Sequence, residues 1–371
     1  MIFFLPVVAS AQYSIHGQVL DEPTNTPLPG ASVFIANTTK GASADADGKF
    51  EIKDLLNIHY NVVISFVGYE PVVFDVVPGQ SIDYKVKLKP AVKLLGEVVV
   101  KAKKMPKSQW RQYLNDFKLN FIGLSENAKH CYFENEDVLI FDKEKSVLTA
   151  TADTTLIMRN DGLGYNVNLL IQKYEFDSKK HSVVFAGQMS FEPLVPIDEK
   201  QKRRWAENRL KAYHGSEMHF LRALYNHRLN EEGFYFTFND AVGMDSLVSL
   251  TSPEIYSYKT QVRTLKNYDR LIDTLSNTNE EILRYKEPLT VVYANELEDF
   301  LYQKKRGIQV TRVMQTSKLI SREPAYVLPD GRVYPIEAAE AQGYWSWELM
   351  SESLPLDYDP AVDLKTLGRN H

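Results

Sequence analysis

The sequence predicts a mainly β protein in two parts, a small β-sandwich near the N-terminus and an α+β domain after it. Before residue 90, short alternating runs recur at intervals of roughly 8 to 12 residues, the spacing of a sandwich, and no helix is needed. From residue 107 the apolar spacing becomes helical and then returns to strands. The chain has 371 residues, of which 44% are hydrophobic, so both parts can bury a core.

Turn residues mark where the strands of the first part begin. Pro27 and Pro29 cannot donate a hydrogen bond to a ladder, so the strand 31–35 begins only after them. Asp47-Gly48 precedes the alternating run 49–52 and predicts a hairpin. The remaining strands are predicted, in order, at 13–20, 60–67, 72–76 and 83–88.

Four motifs of this part occur together: Gly17-Gln18-Val19, Pro27-Leu28-Pro29-Gly30-Ala31-Ser32-Val33, Asp47-Gly48-Lys49-Phe50 and Val67-Gly68-Tyr69. In this order they resemble the carboxypeptidase-regulatory-like domain of Bacteroidota envelope proteins, over residues 13–89. The resemblance implies a transthyretin-like sandwich of seven strands. It implies no catalysis, because in its relatives this module is an accessory to peptidases or to outer-membrane transporters.

The first twelve residues have the features of a signal peptide. Residues 1–8 are apolar, and Ala9-Ser10-Ala11 has the small-x-small form of a signal-peptidase site. No Lys or Arg precedes the apolar run, so we expect the true start of the precursor upstream; a chance apolar start is the alternative. The prediction is an exported protein of the periplasm or outer membrane.

Charge and hydropathy argue against nucleic-acid binding and against a transmembrane segment. The formal net charge of −5 gives no general attraction to nucleic acid. No apolar run after the signal approaches the roughly 20 residues of a membrane-spanning helix, so we expect no transmembrane segment in the mature chain. Cys131 is the single cysteine and cannot form an internal disulfide.

Residues 90–106 are predicted as a linker with a possible final strand at 98–100, followed by lysines. The segment Leu94-Leu95-Gly96-Glu97-Val98-Val99-Val100 resembles the one that follows this sandwich in TonB-dependent transporters. The rest of the chain is too short for the barrel of such a transporter, which needs about 22 strands of roughly 10 residues each.

Residues 107–371 are predicted as an α+β domain with an antiparallel sheet and a long helix. Trp110, Tyr113, Leu114, Phe117 and Phe121 form one helical stripe. Strands are predicted over 138–191, a long polar helix over 199–230, and a hairpin at Asp330-Gly331. This part is similar to a C-terminal region that accompanies the sandwich in Bacteroidota proteins, and that similarity implies no activity.

One pattern in this domain has the form of a metal site. His214-Gly215-Ser216-Glu217 matches the His-x-x-Glu spacing that metallocarboxypeptidases use for zinc. A zinc site also needs a third protein ligand and an open position for water, and the later histidines do not fit that family's pattern. We therefore predict no metal, no cofactor and no catalytic set, and interpret these histidines as helix surface or core residues.

Two clusters remain as candidate binding surfaces. The first is a set of basic residues on the long helix, with a solvated polar face as the alternative: Lys200, Lys202, Arg203, Arg204, Arg209 and Lys211. The second is Tyr344, Trp345 and Trp347, which can stack on a glycan or anchor a partner protein. A buried C-terminal latch is the alternative for these aromatic residues.

The sequence thus predicts a non-catalytic binding or assembly module of the cell envelope, whose partner is an envelope or outer-membrane protein or a glycan. Two alternatives stay open. One is a hydrolase or peptidase with its site in residues 107–371, and the other is an accessory to a TonB-dependent outer-membrane transporter.

Overall fold

A computed structural model describes residues 13–77, 79, 83–91, 105–152, 154–238, 271–274, 280–283, 285, 288–307, 312–322 and 325–369. The chain divides into two compact units. The N-terminal unit comprises Met1–Ala36 and Lys40–Lys93, and the C-terminal unit comprises Asn37–Thr39 and Leu94–His371. The predicted signal peptide 1–12 and the predicted strand 98–100 lie outside the described residues.

The described residues of the N-terminal unit form seven strands, the number that the family resemblance implied. They are β1 Tyr13–Asp21, β2 Ser32–Ile35, β3 Gly41–Ser43, β4 Lys49–Leu55, β5 Tyr60–Ser65, β6 Val72–Val76 and β7 Asp83–Leu88. One sheet has the order β4-β1-β7 and the other β3-β2-β5-β6. Strand β7 runs parallel to β1, and the remaining pairs are antiparallel.

The predicted turn and alternation are both present around β4. Phe50 and Ile52 are buried while Lys49 and Glu51 are exposed. Gly48 has a φ of 74°, and a Cβ added there would lie 2.6 Å from the carbonyl oxygen of Val19. The turn therefore requires glycine on two grounds, its left-handed backbone and its close approach to β1.

The C-terminal unit is mainly β, with the helices α1 Lys107–Phe121, α2 Glu199–Tyr213, α3 Glu217–Tyr225, α4 Phe300–Lys305 and α5 Pro360–Leu367. Its larger sheet has the order β8-β11-β12-β10-β9, with β13 paired to β12. The strands of this sheet are β8 Cys131–Phe133, β9 Leu139–Glu144, β10 Val147–Ala152, β11 Leu156–Asn160, β12 Tyr165–Asp177 and β13 Ser182–Pro193.

The described residues of this unit also form two smaller antiparallel sheets. One has the order β14-β17-β18-β21, with β14 Phe234–Phe238, β17 Leu289–Leu297, β18 Met314–Ser321 and β21 Ala339–Gly343. The other has the order β15-β16-β19-β20, with β15 Ile272–Thr274, β16 Glu281–Leu283, β19 Ala325–Val327 and β20 Val333–Tyr334. Short 3-10 turns at Asn127–His130 and Met350–Glu352 contribute to the site described below.

Helix α1 packs on the larger sheet through its predicted stripe. Phe117 is fully buried, and its ring centroid lies 5.6 Å from that of Phe133 and 4.7 Å from that of Tyr174. Tyr113, Leu114 and Phe121 are buried on the same face of the helix. Burial of these side chains stabilises the docked helix by the hydrophobic effect, which contributes roughly 1.5–3 kcal/mol for each large apolar side chain.

The long helix predicted over 199–230 is two helices that meet at Gly215. Its φ of 80° is left-handed, and a Cβ added there would lie 2.2 Å from Oε1 of Gln315, so the helix cannot continue through it. Asp198 caps α2 by accepting a hydrogen bond from the backbone N–H of Gln201, and Ser216 caps α3 in the same way at His219.

The basic residues predicted as a cluster on this helix differ in exposure to solvent. Arg209 is directed inward and forms a bidentate pair with Asp363 of α5, with Nε–Oδ2 and Nη2–Oδ1 distances of 2.7 and 2.6 Å. The side chain of Asp363 is 3% exposed and also accepts a hydrogen bond from the hydroxyl of Tyr358. Arg209 is therefore structural, and the exposed members of the cluster are Lys200, Lys202, Arg203, Arg204 and Lys211.

We expect Arg209→Ala to lower the free energy of unfolding by about 3–5 kcal/mol, because it leaves the buried Asp363 carboxylate without its partner. Urea denaturation of the full chain measures the change. Arg203→Ala, on the exposed side of the same helix, is the matched control and should cost less than about 1 kcal/mol. Equal losses in the two variants would contradict a structural role for the Arg209 pair.

Candidate functional site

A polar cavity of about 310 Å³ lies within the C-terminal unit. Its walls come from the loop after α1, from α2, from β17 and β18, and from the segment 344–352. Four charged or titratable residues of this lining are exposed, and we call them the rim: Glu126, His130, Arg204 and Lys211. Three half-buried glutamates of the lining form what we call the acidic floor: Glu296, Glu348 and Glu352.

A hydrogen-bond network fixes the Glu352 carboxylate. Ser125 donates to Oε1 of Glu352 through its hydroxyl, and Asn127 donates to Oε2 through Nδ2 at 2.7 Å. The Ser125 hydroxyl also lies 3.0 Å from that of Ser351. Ser125, Asn127 and Ser351 are all buried. Glu352 is therefore held in one orientation by neutral donors.

The other two floor carboxyls are raised in pKa by burial. Burial raises the pKa of Glu348 well above its ordinary value, and the neighbouring Glu352, Glu296 and Glu217 carboxylates raise it further. Burial also raises the pKa of Glu296, against the opposing effects of Lys211 and of the hydrogen bond that Gln315 donates at 3.2 Å. The recess therefore disfavours the charged forms of Glu296 and Glu348.

The three predicted aromatic contact residues are all largely buried, and they fall into two places. Tyr344 and Trp347 line the cavity and pack on Tyr302, with ring centroids 5.2 and 5.6 Å from the Tyr302 ring. Trp345 is in the core, where its ring packs on Phe220 and its indole N–H donates to the carbonyl of Gly215 at 2.7 Å. Trp345 is therefore a buried core residue, as the alternative of a C-terminal latch predicts. Tyr344 and Trp347 remain candidates for ligand contact.

The residues of the His-x-x-Glu pattern are placed around the junction of α2 and α3. The Nδ1 of His219 accepts a hydrogen bond from the backbone N–H of Gly215 at 3.1 Å, and burial lowers its pKa to about 3. Burial lowers the pKa of His214 as well and raises that of Glu217 to about 7. Within the part of the chain that the structure describes, no three His, Cys, Asp or Glu side chains are grouped to hold a metal ion.

The acidic floor was missed by the sequence reasoning. Glu296, Glu348 and Glu352 belong to no motif, and Glu352 stands 227 positions after the Ser125 that orients it. In the segment 344–352, the sequence predicted only the aromatic residues as a contact surface. The nearest usable signal is the spacing of Tyr344, Trp347 and Glu348, which the short turn after β21 brings to one wall of the cavity.

We expect Glu217→Gln to alter the pH dependence of stability. The folded chain holds the Glu217 proton up to about pH 7, whereas an unfolded glutamate releases it near its ordinary pKa of 4.5. The wild type therefore loses stability as pH rises through this window, because the folded state binds more protons than the unfolded state. The variant avoids this loss and should be more stable at alkaline pH by up to about 3 kcal/mol.

Thermal unfolding of both proteins between about pH 4 and pH 8 measures this difference. The exposed Glu231, on the loop after α3, supplies the control Glu231→Gln, which should leave the profile unchanged. Parallel profiles for wild type and Glu217→Gln would contradict a buried Glu217 proton.

Among the described residues, no helix has the length and apolar character to cross a membrane. Two solved structures share weak likeness with the chain. A candidate carbohydrate-binding protein from Bacteroides uniformis is 15% identical, covers 43% of this chain and 59% of its own, and has a TM-score of 0.17. A membrane-associated protein of unknown function from Bacteroides fragilis is 11% identical, covers 90% and 93%, and has a TM-score of 0.18. Neither score establishes a shared fold.

The sequence comparisons concern the N-terminal part. The TonB-dependent receptor SusC of Bacteroides thetaiotaomicron is 33% identical over 101 residues, which are 26% of this chain and 9% of the receptor. The match thus spans less than a tenth of the receptor's length. The family of CarboxypepD_reg-like domains matches residues 15–100, which confirms the resemblance found in the turn motifs. The N-terminal part of this chain, residues 15–100, is a CarboxypepD_reg-like domain.

Proposed function

We propose that the chain is a non-catalytic binding module of the cell envelope, and that the cavity of the C-terminal unit binds a saccharide. The observation that carries this proposal is the presence of two aromatic side chains, Tyr344 and Trp347, in the same recess as carboxyl and amide groups. Sugars offer an apolar face of C–H groups for aromatic rings and hydroxyls that both donate and accept hydrogen bonds.

The lining suits such a ligand in size and in polarity. A volume of about 310 Å³ stands at the lower end of the range of ligand pockets, which is roughly 300–1,000 Å³. Asn127, Asn208 and Gln315 add amide groups to the carboxyls of the floor. The network from Ser125 to Glu352 orients part of this wall before any ligand arrives, which reduces the entropy that binding must overcome.

The envelope location rests on the N-terminal part. Its family and its likeness to a TonB-dependent receptor support an exported protein, and the signal-like residues 1–12 add to that support. The same likeness favours an outer-membrane receptor as a protein partner of the module, in the periplasm or at the outer membrane. Binding of a saccharide in the second unit is compatible with such a partner.

We expect the purified full chain to bind at least one saccharide on a glycan array, with the affinity then measured by titration. Trp347→Phe should weaken that binding about 3- to 10-fold, because the smaller ring loses part of its stacking area on the sugar. Trp110→Phe replaces a half-buried tryptophan that packs on Phe141 outside the cavity, and it should leave the affinity unchanged. Absence of saccharide binding, or equal losses in the two variants, would contradict the proposal.

A hydrolase is the second candidate, favoured by the position of Glu348. A carboxyl whose pKa is raised by burial and by neighbouring carboxylates has the electrostatic environment of a general acid in glycoside hydrolysis. If the cavity is catalytic, a bound oligosaccharide is cleaved, the rate falls as rising pH removes the Glu348 proton, and Glu348→Gln stops the reaction. Recovery of the bound saccharide intact after prolonged incubation supports the non-catalytic function and excludes this candidate.

A further inference from the structure

We propose that the saccharide bound by this cavity carries a primary ammonium group, and that this group replaces a proton on the acidic floor when it binds. The inference rests on the proposed function and specifies its ligand as an amino sugar. It depends on how charge is arranged around the cavity and on which polar groups of the lining lack a cationic partner.

The cations of the lining lie on the rim, from which Lys211 acts electrostatically on Glu296, and the hydrogen-bond donors to Glu352 and Glu296 are neutral. The donors to Glu352 are Ser125 and Asn127, and the donor to Glu296 is Gln315. The neighbours that act electrostatically on Glu348 are all carboxylates. Among the described residues, then, the recess has a surplus of acceptors and lacks an ammonium or guanidinium paired with its deepest carboxyl.

A further acceptor points to a ligand that donates hydrogen bonds. Gln315 lines the cavity and is 5% exposed, and its Oε1 accepts no hydrogen bond from the described residues. A buried acceptor without a donor is destabilising, because it has lost its hydrogen bonds to water. An ammonium group has three donors and no acceptor, so it complements a wall made of carboxylate and amide oxygens.

Burial favours the protonated forms of two carboxyls of the floor, Glu296 and Glu348. Burial and the neighbouring carboxylates raise the pKa of Glu348, and burial raises that of Glu296. A ligand ammonium in the recess favours the charged carboxylates and therefore lowers both pKa values, so a proton leaves as the cation binds. The other charged or titratable groups that face the floor are Glu217 of α3, and Glu126, His130, Arg204, Lys211, Asp299 and Tyr344 of the lining.

This exchange separates amino sugars from their close relatives. A plain sugar has nearly the same shape, with a neutral hydroxyl in place of the amine, whereas an N-acetylated amino sugar is bulkier and carries no charge. Either can still stack on Trp347 and hydrogen-bond to the floor, but neither supplies the positive charge that replaces the proton. The cavity therefore selects by charge more than by shape.

The test is calorimetric titration of the full chain at neutral pH with three matched disaccharides: that of glucosamine, its di-N-acetylated form, and cellobiose. We expect the glucosamine disaccharide to bind at least about 10-fold more tightly than the other two, as one charge pair in a recess allows. Repeating the titration in phosphate and in HEPES, neither of which has a primary amine, reveals the proton, because the measured heat then depends on the ionisation enthalpy of the buffer.

Variants assign the effect to the floor and the rim. Glu348→Gln should bring the affinity for the glucosamine disaccharide down to that for cellobiose and should abolish the buffer dependence. Lys211→Ala removes a rim cation and should raise the affinity for the glucosamine disaccharide about 2- to 5-fold, an outcome that partial unfolding cannot imitate. Glu175→Gln, a partly buried carboxyl of β12 outside the cavity, is the control and should change nothing.

The outcomes distinguish this inference from the proposed function. Equal binding of the three disaccharides, with heats that are independent of buffer, overturns the ammonium inference and leaves a saccharide site in place. Failure of all three to bind overturns the inference, and with a negative glycan array it overturns the proposed function as well.

Discussion

The buried hydrogen bonds of Ser351 are the interaction on which the rest of the C-terminal unit depends. The Ser351 N–H donates to the carbonyl of Ile122 at 3.1 Å, and its own carbonyl accepts from Nδ2 of Asn160 at 2.9 Å. Its hydroxyl lies 3.0 Å from that of Ser125. This residue is 1% exposed, so each of these bonds satisfies a group that has no access to water. The segment after β21 is thereby fixed to the end of α1 and to β11, and one wall of the cavity is set.

Two arginines attach the C-terminal segment to the helices in the same way. Arg209 of α2 binds Asp363, and Arg222 of α3 donates to the carbonyls of Leu356 and Tyr358, both at 2.9 Å. A guanidinium suits this role because its five donors are held in one plane. The exposed lysines and arginines of α2 differ from Arg209 in the side of the helix on which they lie. The composition of a basic segment does not predict which of its residues is buried.

Three glutamates in and next to the cavity lower the stability of this unit. Glu217, Glu296 and Glu348 each have a pKa raised by burial, and each therefore lowers the stability of the fold at neutral pH. Groups with strongly perturbed pKa values are frequent at functional sites, where a ligand of opposite charge can stabilise their charged forms. The proposed exchange of a proton for an ammonium group is one such case, since it provides the counter-charge that the unit itself does not place there.

Much of the fold follows from local chemistry and could be predicted. Asp47-Gly48 requires a tight turn, Phe50 and Ile52 alternate with polar neighbours, and the stripe of α1 buries Phe117, so these elements were predicted correctly. The break between α2 and α3 was missed because a glycine within a helical pattern is often tolerated. Here Gln315, which is 100 residues away, comes too close to Gly215 for any side chain.

The sequence by itself determined the CarboxypepD_reg-like domain, because turns and strand alternation depend on residues that are close along the chain. Only the tertiary structure decided the cavity. Ser125, Glu296, Gln315 and Glu348 come from separate elements, and burial together with the mutual repulsion of carboxyls gives this set its chemistry. Tyr344 and Trp347 line the cavity, whereas Trp345, which lies between them in sequence, packs in the core. The turn after β21 directs these side chains to different sides.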